Sequence, residues 1–235
     1  MIPKIIHYCW FGDKPKPKKV QKCIESWNKI LPEYQIIEWN EQNFDYKKYS
    51  FTEKAYKEKK YAFVSDVARI EALLQYGGIY LDTDVEVFKS FDDILNEHCV
   101  LGFEERNYIA TSFIACEKEC TLMREFHDIY LNTTFDGTFI TNVVLLTNIL
   151  KEKGLKMNNQ LQVLESYIRI FPKEFFSPYD YINCINLKTD KTYCVHYFYV
   201  SWLSKVQKMK KLIKSIIVRI IGKKYMDRLR GYDDE

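Results

Sequence analysis

The sequence predicts an α/β fold built on a mostly parallel sheet, and three observations carry that prediction. The chain opens strand, helix, strand. A long helix then closes on paired glycines and runs straight into another short apolar strand. Finally, 235 residues with 47% hydrophobic and 29% charged content suit one soluble α/β domain with a single large core, not a disordered chain.

The elements follow in order. KIIHYCWF (4–11) is a buried-strand candidate ended by Gly12. DKPKPKKVQK (13–22) is a basic, proline-broken loop. From Val20, apolar residues at Cys23, Ile24, Trp27, Ile30 and Leu31 keep helical spacing until Pro32 stops the helix. YQIIEW (34–39) is the second strand. A polar helical stretch is expected over 53–60. The helix FVSDVARIEALLQY (63–76) ends at Gly77-Gly78, with a strand over Ile79–Leu81. Later strands are expected at CVLGF (99–103), ATSFIAC (110–116) and KTYCVHYF (191–198), and helices over 119–131 and 140–153. No internal repeat or linker divides the chain, so one domain is expected over 1–204, followed by a tail at 205–235.

The tail differs in charge. Residues 205–235 hold ten Lys or Arg against four Asp or Glu, within a chain of net charge +3, so residues 1–204 are slightly acidic. Val206, Met209, Ile213, Ile216, Ile217, Ile220 and Ile221 form an apolar stripe flanked by lysines, the pattern of a basic amphipathic helix. Such a helix either packs on the domain, meets a partner protein or lies in an anionic membrane surface. Peripheral membrane contact through residues 203–224 is the expectation. No nucleic-acid recognition motif accompanies the charge, so no nucleic-acid partner is expected. Seven scattered cysteines without a CxxC pair argue against a zinc ribbon and suit a reducing compartment. Cys116 and Cys120 could share a helix face, with core filling the simpler reading. No apolar signal segment or membrane-spanning run is evident, so a cytoplasmic location is expected, peripheral on the cytoplasmic face of the membrane.

The chemistry concentrates in YGGIYLDTDVEV (76–87). In an extended chain Asp82 and Asp84 would share a face, roughly 6.6 Å apart. Like charges so placed repel unless a cation lies between them. Ligands of open α/β sheets bind beyond the carboxyl ends of strands, where this pair falls, and hard oxygen ligands there suit Mg²⁺ or Mn²⁺. Rival readings differ in merit. An EF-hand loop fails, because its sixth position needs glycine and is Val87 here. A glycosidase pair would have to flank a scissile bond from two sides, which neighbours on one strand do poorly. A phosphatase of the haloacid-dehalogenase type would use Asp82 as nucleophile. A non-catalytic sugar-nucleotide-binding or membrane-associated protein is the alternative from another class.

The wider stretch AFVSDVARIEALLQYGGIYLDTDVEV (62–87) resembles the signature of glycosyltransferase family 32, through Ser65-Asp66, Arg69, Gly77-Gly78, Tyr80, Asp82 and Asp84. The opening IPKIIHYCWFG resembles the family's first strand. The likeness is strong over roughly residues 1–90 and looser from 98 to 204. It implies a GT-A fold, Rossmann-like with a mostly parallel sheet, and a hexosyltransferase that retains anomeric configuration. It further implies a nucleotide-sugar donor, with UDP-sugar favoured over GDP-mannose, a divalent metal, Mn²⁺ or Mg²⁺, and a glycan or glycolipid acceptor. Surface polysaccharides such as capsule or lipopolysaccharide are the expected products.

By the same resemblance, Asp84 binds the metal directly, and Asp82 supports it and contacts the ribose. Asp66 and Arg69, at i and i+3 on one helix face, reach the donor sugar. An ordinary helical ion pair, or Asp66 as an N-cap, is the plainer reading of those two. His196 completes the metal site, with Ser201 and Trp202 near the phosphates; otherwise it is a satisfied core histidine. Tyr8 and Trp10 lie on one strand face, with His7 on the other, and are expected at the nucleotide base. Asn142 lies where related enzymes contact the sugar, with helix capping as its competing role. No base for inverting chemistry stands out, and both front-face and double-displacement routes remain open.

Overall fold

A computed structural model describes residues 1–104, 108–137, 141–199, 218, 221 and 222. The predicted opening unit is present as β1 (Ile5–Cys9), α1 (Lys18–Ile30) and β2 (Gln35–Trp39). Two helices follow, α2 (Ser50–Lys57) and α3 (Tyr61–Tyr76), then β3 (Gly78–Leu81) and β4 (Val85–Val87). The chain continues through β5 (Cys99–Gly102), β6 (Phe113–Cys116), α4 (Thr121–Leu131), α5 (Asn142–Glu152), β7 (Gln162–Leu164) and β8 (Ile168–Phe171). A single turn, α6 (Lys173–Phe176), and the short strands β9 (Tyr179–Asp180), β10 (Ile185–Asn186) and β11 (Cys194–His196) complete it. The polar helix begins three residues earlier than its sequence pattern indicates, at Ser50.

The main sheet has the order β2-β1-β3-β6-β5-β8-β7. β1, β2 and β3 are parallel, β6 is antiparallel to both β3 and β5, and β8 is parallel to β5. β7 is antiparallel to β8. All strands but β6 and β7 therefore share one direction, as expected for a mostly parallel sheet. The reversed β6 matters for function, because its N-terminal end lies at the edge where β1 and β3 finish.

Side-chain alternation puts a core on each face of the sheet. Ile6, Tyr8, Ile79, Leu81 and Phe113 pack on the α1 side around Trp27, whose indole nitrogen donates to the Val85 carbonyl at 2.8 Å. Cys9, Phe11, Tyr80, Ile114 and Cys116 pack on the other side with α3, where Val64, Val67, Ile70 and Leu73 are all fully buried. Each such side chain contributes about 1.5–3 kcal/mol of apolar burial.

The paired glycines are required by this packing. Gly77 closes α3 at φ +65, its amide donating to the Leu73 carbonyl at 2.8 Å. A Cβ on Gly78, at φ +102, would stand 2.6 Å from the Ile5 carbonyl oxygen. Only glycine lets β3 leave the helix and enter directly beside β1.

No helix among the described residues is long and apolar enough to cross a membrane. Except for Val218, Ile221 and Gly222, the expected basic amphipathic helix lies outside the described residues, as do Ser201 and Trp202.

Candidate active site

β3 delivers the two acids to the sheet edge, but not on an extended chain. Residues 82–85 form a turn closed by the Val85 amide donating to the Asp82 carbonyl at 3.0 Å. The same-face, strand-like spacing read from the sequence is therefore replaced by a turn, through which the chain leaves the main sheet at β3 and enters β4, the partner of β11 in a separate two-stranded sheet. The Asp82 amide is held in turn by the Ser112 carbonyl at 2.9 Å, one residue before β6.

Arg69 organises the first half of the site. Rising from α3, its Nη2 meets Asp66 Oδ1 at 3.1 Å and its Nη1 meets Asp82 Oδ1 at 3.3 Å. Nη1 also donates to the Thr111 carbonyl at 2.8 Å, and Nε to the Ser65 carbonyl at 3.3 Å. The guanidinium lies over the buried Tyr80 ring, 4.4 Å from its centroid, and the Tyr80 hydroxyl donates to Asp82 Oδ1 at 2.9 Å. One cation thus serves two carboxylates and two carbonyls, with little N–H capacity left over. Burial pushes the Asp66 carboxyl up to about 6, with Arg69 pulling the other way and Asp82 adding to the rise. The helical ion pair anticipated from the i, i+3 spacing is present. Asp66 is not an N-cap, since α3 begins at Tyr61.

The second half comes from the far end of the chain. β11 pairs antiparallel with β4 and sets His196 opposite Val85. His196 Nε2 lies 3.2 Å from Asp84 Oδ1, while the Tyr199 amide donates to Asp84 Oδ2 at 2.7 Å. Burial opposes charge on both side chains. Even so, the facing imidazolium holds Asp84 below the usual carboxylate range, and the facing carboxylate lifts His196 to about 9.

Ligand atoms of Asp82, Asp84 and His196 lie within 4.8 Å of one another. Two carboxylates and an imidazole form a donor set that suits a divalent cation of the Mg²⁺ or Mn²⁺ kind. His196 Nδ1 is buried without a hydrogen-bond partner among the described residues, so the ring is held by packing and by Asp84. These residues could hold a divalent metal.

The remaining sequence candidates separate. Asn142, at the first turn of α5, donates to Asp66 Oδ1 at 2.6 Å and so joins the Arg69 cluster. Trp10 borders a cavity of ≈ 840 Å³ beyond the ends of β1 and β2, lined also by Glu38, Asn40, Asn43, Tyr46 and Tyr56. Tyr8 shares the strand face of Trp10 but is only 7% exposed, its hydroxyl donating to the Glu38 carboxylate. Among the residues named from sequence, Asp66, Arg69, Asp82, Asp84, Asn142 and His196 therefore form one connected cluster. Sequence reasoning missed the roles of the Tyr80 hydroxyl, the Thr111 carbonyl and the Tyr199 amide. Tyr80 alone carried a signal, lying two residues before Asp82 on a strand.

Comparison with known proteins agrees with this geometry. Residues 17–101 match the family model for a glycosyltransferase sugar-binding region containing a DXD motif. Over 71 residues the chain is 38% identical to the lactosylceramide 4-alpha-galactosyltransferase of Homo sapiens, covering 28% of this chain and 19% of that protein. The Rattus norvegicus protein of the same name is 39% identical over 56 residues, covering 24% and 15%. The chain thus spans less than a fifth of the length of these curated relatives. In fold, it superposes on the apo-form glycosyltransferase GlyE of Streptococcus pneumoniae TIGR4 with a TM-score of 0.51 at 11% identity, covering 92% of this chain and 60% of that one. Over residues 17–101, the part that carries Asp66, Arg69, Asp82 and Asp84, the chain is thus similar to the sugar-binding region of DXD-containing glycosyltransferases.

Proposed function

We propose that the chain is a retaining, metal-dependent hexosyltransferase. It moves a sugar from a nucleotide-sugar, a UDP-sugar in preference to GDP-mannose, to a glycan acceptor. The observation that carries this reading is the convergence of Asp82, Asp84 and His196 beyond β3, tied through Asp82 to Arg69 and Asp66.

Breaking the bond between a sugar and a nucleoside diphosphate leaves negative charge on the departing phosphate. Mn²⁺ or Mg²⁺ held by Asp82, Asp84 and His196 would supply Lewis-acid stabilisation of that charge. The residues of the chain supply position. Arg69 fixes the Asp82 carboxylate and the Thr111 backbone. Asp66, oriented by Arg69 and Asn142, offers its second carboxylate oxygen to sugar hydroxyls. Trp10 presents an aromatic face to the cavity beyond β1, where a nucleoside base fits by size and by stacking. Ser201 and Trp202 are proposed near the phosphates. In a retaining front-face reaction the leaving phosphate assists deprotonation of the acceptor, so no further base is needed.

A glycolipid acceptor is favoured, because the curated relatives are named for transfer to lactosylceramide and because the tail carries a basic excess. Residues 1–204 form the transferase domain in this reading. Residues 203–224 rest on an anionic membrane surface, and the products are capsule, lipopolysaccharide or other surface glycans. Deleting 203–235 abolishes binding to anionic liposomes if the tail is the contact; unchanged binding contradicts it.

A thermal-shift panel of nucleotide-sugars with and without Mn²⁺ tests the donor. A ligand at a hundredfold excess over Kd stabilises by about 2.7 kcal/mol, so one donor should raise Tm only when Mn²⁺ is present. Absence of any metal-dependent shift across UDP- and GDP-sugars would overturn the reading.

A further inference from the structure

When one nitrogen of an imidazole binds a metal, the other ordinarily donates to a carboxylate, a carbonyl or water, and that bond fixes the ring. His196 lacks such a bond: its Nδ1 is buried without a hydrogen-bond partner among the described residues. The torsion that turns an imidazole about its Cβ–Cγ bond is broad. Nε2, 3.2 Å from Asp84 Oδ1, therefore needs another restraint to keep its aim. The Phe198 ring lies against the imidazole, with centroids 3.9 Å apart and planes at 37°. The Tyr181 ring packs on Phe198 in turn, at 5.4 Å. Rotating the imidazole would drive its edge into Phe198, which close packing forbids.

The backbone at Phe198 is strained. Among the described residues, Phe198 is the only aromatic one in the left-handed region, at φ +49. A bulky side chain rarely adopts that conformation, which costs on the order of 1–3 kcal/mol and persists only where the surroundings over-determine it. The flanking tyrosines do so here. The Tyr197 amide donates to the Asp84 carbonyl at 3.1 Å, and its hydroxyl donates to the Glu86 carboxylate at 2.5 Å. The Tyr199 amide donates to Asp84 Oδ2 at 2.7 Å, and Lys19 Nζ, from α1, lies 4.8 Å from the centroid of the Tyr199 ring. The two tyrosine rings stack, 5.3 Å apart with planes at 7°. Residues 197 and 199 are thus tied to the same acid that His196 faces, and Phe198 is held between them.

Resting on the reading of Asp82, Asp84 and His196 as metal ligands, we propose that Phe198 is a positioning residue of that site, its ring locking the His196 imidazole with Nε2 turned toward Asp84. The Phe198 side chain offers no ligand atom and acts through His196. Its contribution is preorganisation: an imidazole already aimed loses little torsional freedom when an ion binds. The aromatic contact thereby takes the place of the hydrogen bond that Nδ1 does not make.

A double-mutant cycle on Mn²⁺ affinity tests this, with free Mn²⁺ read by electron paramagnetic resonance in titrations of the full-length protein. Phe198→Gly removes the ring but suits the left-handed backbone, and should weaken Mn²⁺ binding about tenfold. Phe198→Tyr keeps the ring and should bind within about twofold of wild type. In a His196→Ala background, Phe198→Gly should change the affinity by less than about twofold, because the side chain it orients is gone. A second readout needs no metal. In the NMR spectrum of the metal-free protein, the Phe198 ring current should shift the His196 ring protons upfield, in wild type and Phe198→Tyr but not in Phe198→Gly. Equal Mn²⁺ affinity in wild type and Phe198→Gly, the same loss with and without His196, or unshifted His196 protons in wild type would overturn the assignment and leave the metal site standing. Wild type that binds Mn²⁺ no better than Asp84→Asn would overturn the metal reading, and the assignment with it.

Discussion

Protonating His7 should unlock the junction between β1 and β3, and its cost can be worked out from the ring's surroundings. His7 is fully buried. The Trp39 indole nitrogen, which can only donate, lies 3.1 Å from His7 Nδ1, and His7 Nε2 lies 2.8 Å from the Gly77 carbonyl. The neutral tautomer is therefore fixed, with the proton on Nε2 and the lone pair on Nδ1. A second proton would have to enter at Nδ1, breaking the Trp39 bond and leaving a buried cation. Burial accordingly lowers the His7 pKa from 6.5 to about 4, against a smaller opposing effect of the Gly77 carbonyl. Between those values the unfolded chain binds a proton that the folded chain refuses. His7 therefore contributes stability fully present above about pH 6.5 and lost as pH falls toward 4. A shift of that size corresponds to on the order of 3 kcal/mol. Urea unfolding of wild type and His7→Gln from pH 7 to pH 4 isolates the effect, since glutamine can accept from Trp39 and donate to Gly77 but does not titrate. The stability difference between the two proteins should change by that amount over the range, with wild type losing more. A difference that stays constant with pH would refute the reasoning.

Two further substitutions probe the route to the acids. Gly78→Ala places a methyl 2.6 Å from the Ile5 carbonyl at φ +102, and should cost on the order of 3 kcal/mol or more in urea unfolding; a loss under about 1 kcal/mol would show that β1 and β3 adjust freely. Tyr80→Phe keeps the ring beneath Arg69 but removes the 2.9 Å bond to Asp82, and should weaken Mn²⁺-dependent donor binding about tenfold, equivalent to ~1.4 kcal/mol, with no change in binding counting against a supporting role for the hydroxyl.

Much of the fold was legible because its opening elements carry strong local signals. The apolar runs of β1 and β2, the Pro32 stop after α1 and the Gly77-Gly78 close of α3 each fix an element within a few residues. The elements missed are short. β4, β7, β9 and β10 have two or three residues each, too few to display a period of two. β8 was missed for a related reason, since its four residues are flanked by no strong turn signal beyond the following proline. The site divides in the same way. Asp66 with Arg69, and Asp82 with Asp84, lie close in sequence and announce themselves by spacing. The approach of His196 to Asp84 depends on the pairing of β11 with β4, which no local pattern encodes; it was named through family resemblance. The Thr111 carbonyl and Tyr199 amide are backbone groups, which every residue possesses, so only the reversal of β6 and the path after β11 reveal them.

The most direct test is donor hydrolysis by purified wild type and Asp84→Asn, with Mn²⁺ and with a chelator, on the donor that stabilises the protein. Wild type should release the nucleoside diphosphate only when Mn²⁺ is supplied. Asp84→Asn should lose about a hundredfold or more of that rate, as expected when several kcal/mol of charge stabilisation disappear. A chelator-insensitive reaction, or an Asp84→Asn enzyme as fast as wild type, would contradict a metal-assisted transfer centred on Asp82, Asp84 and His196.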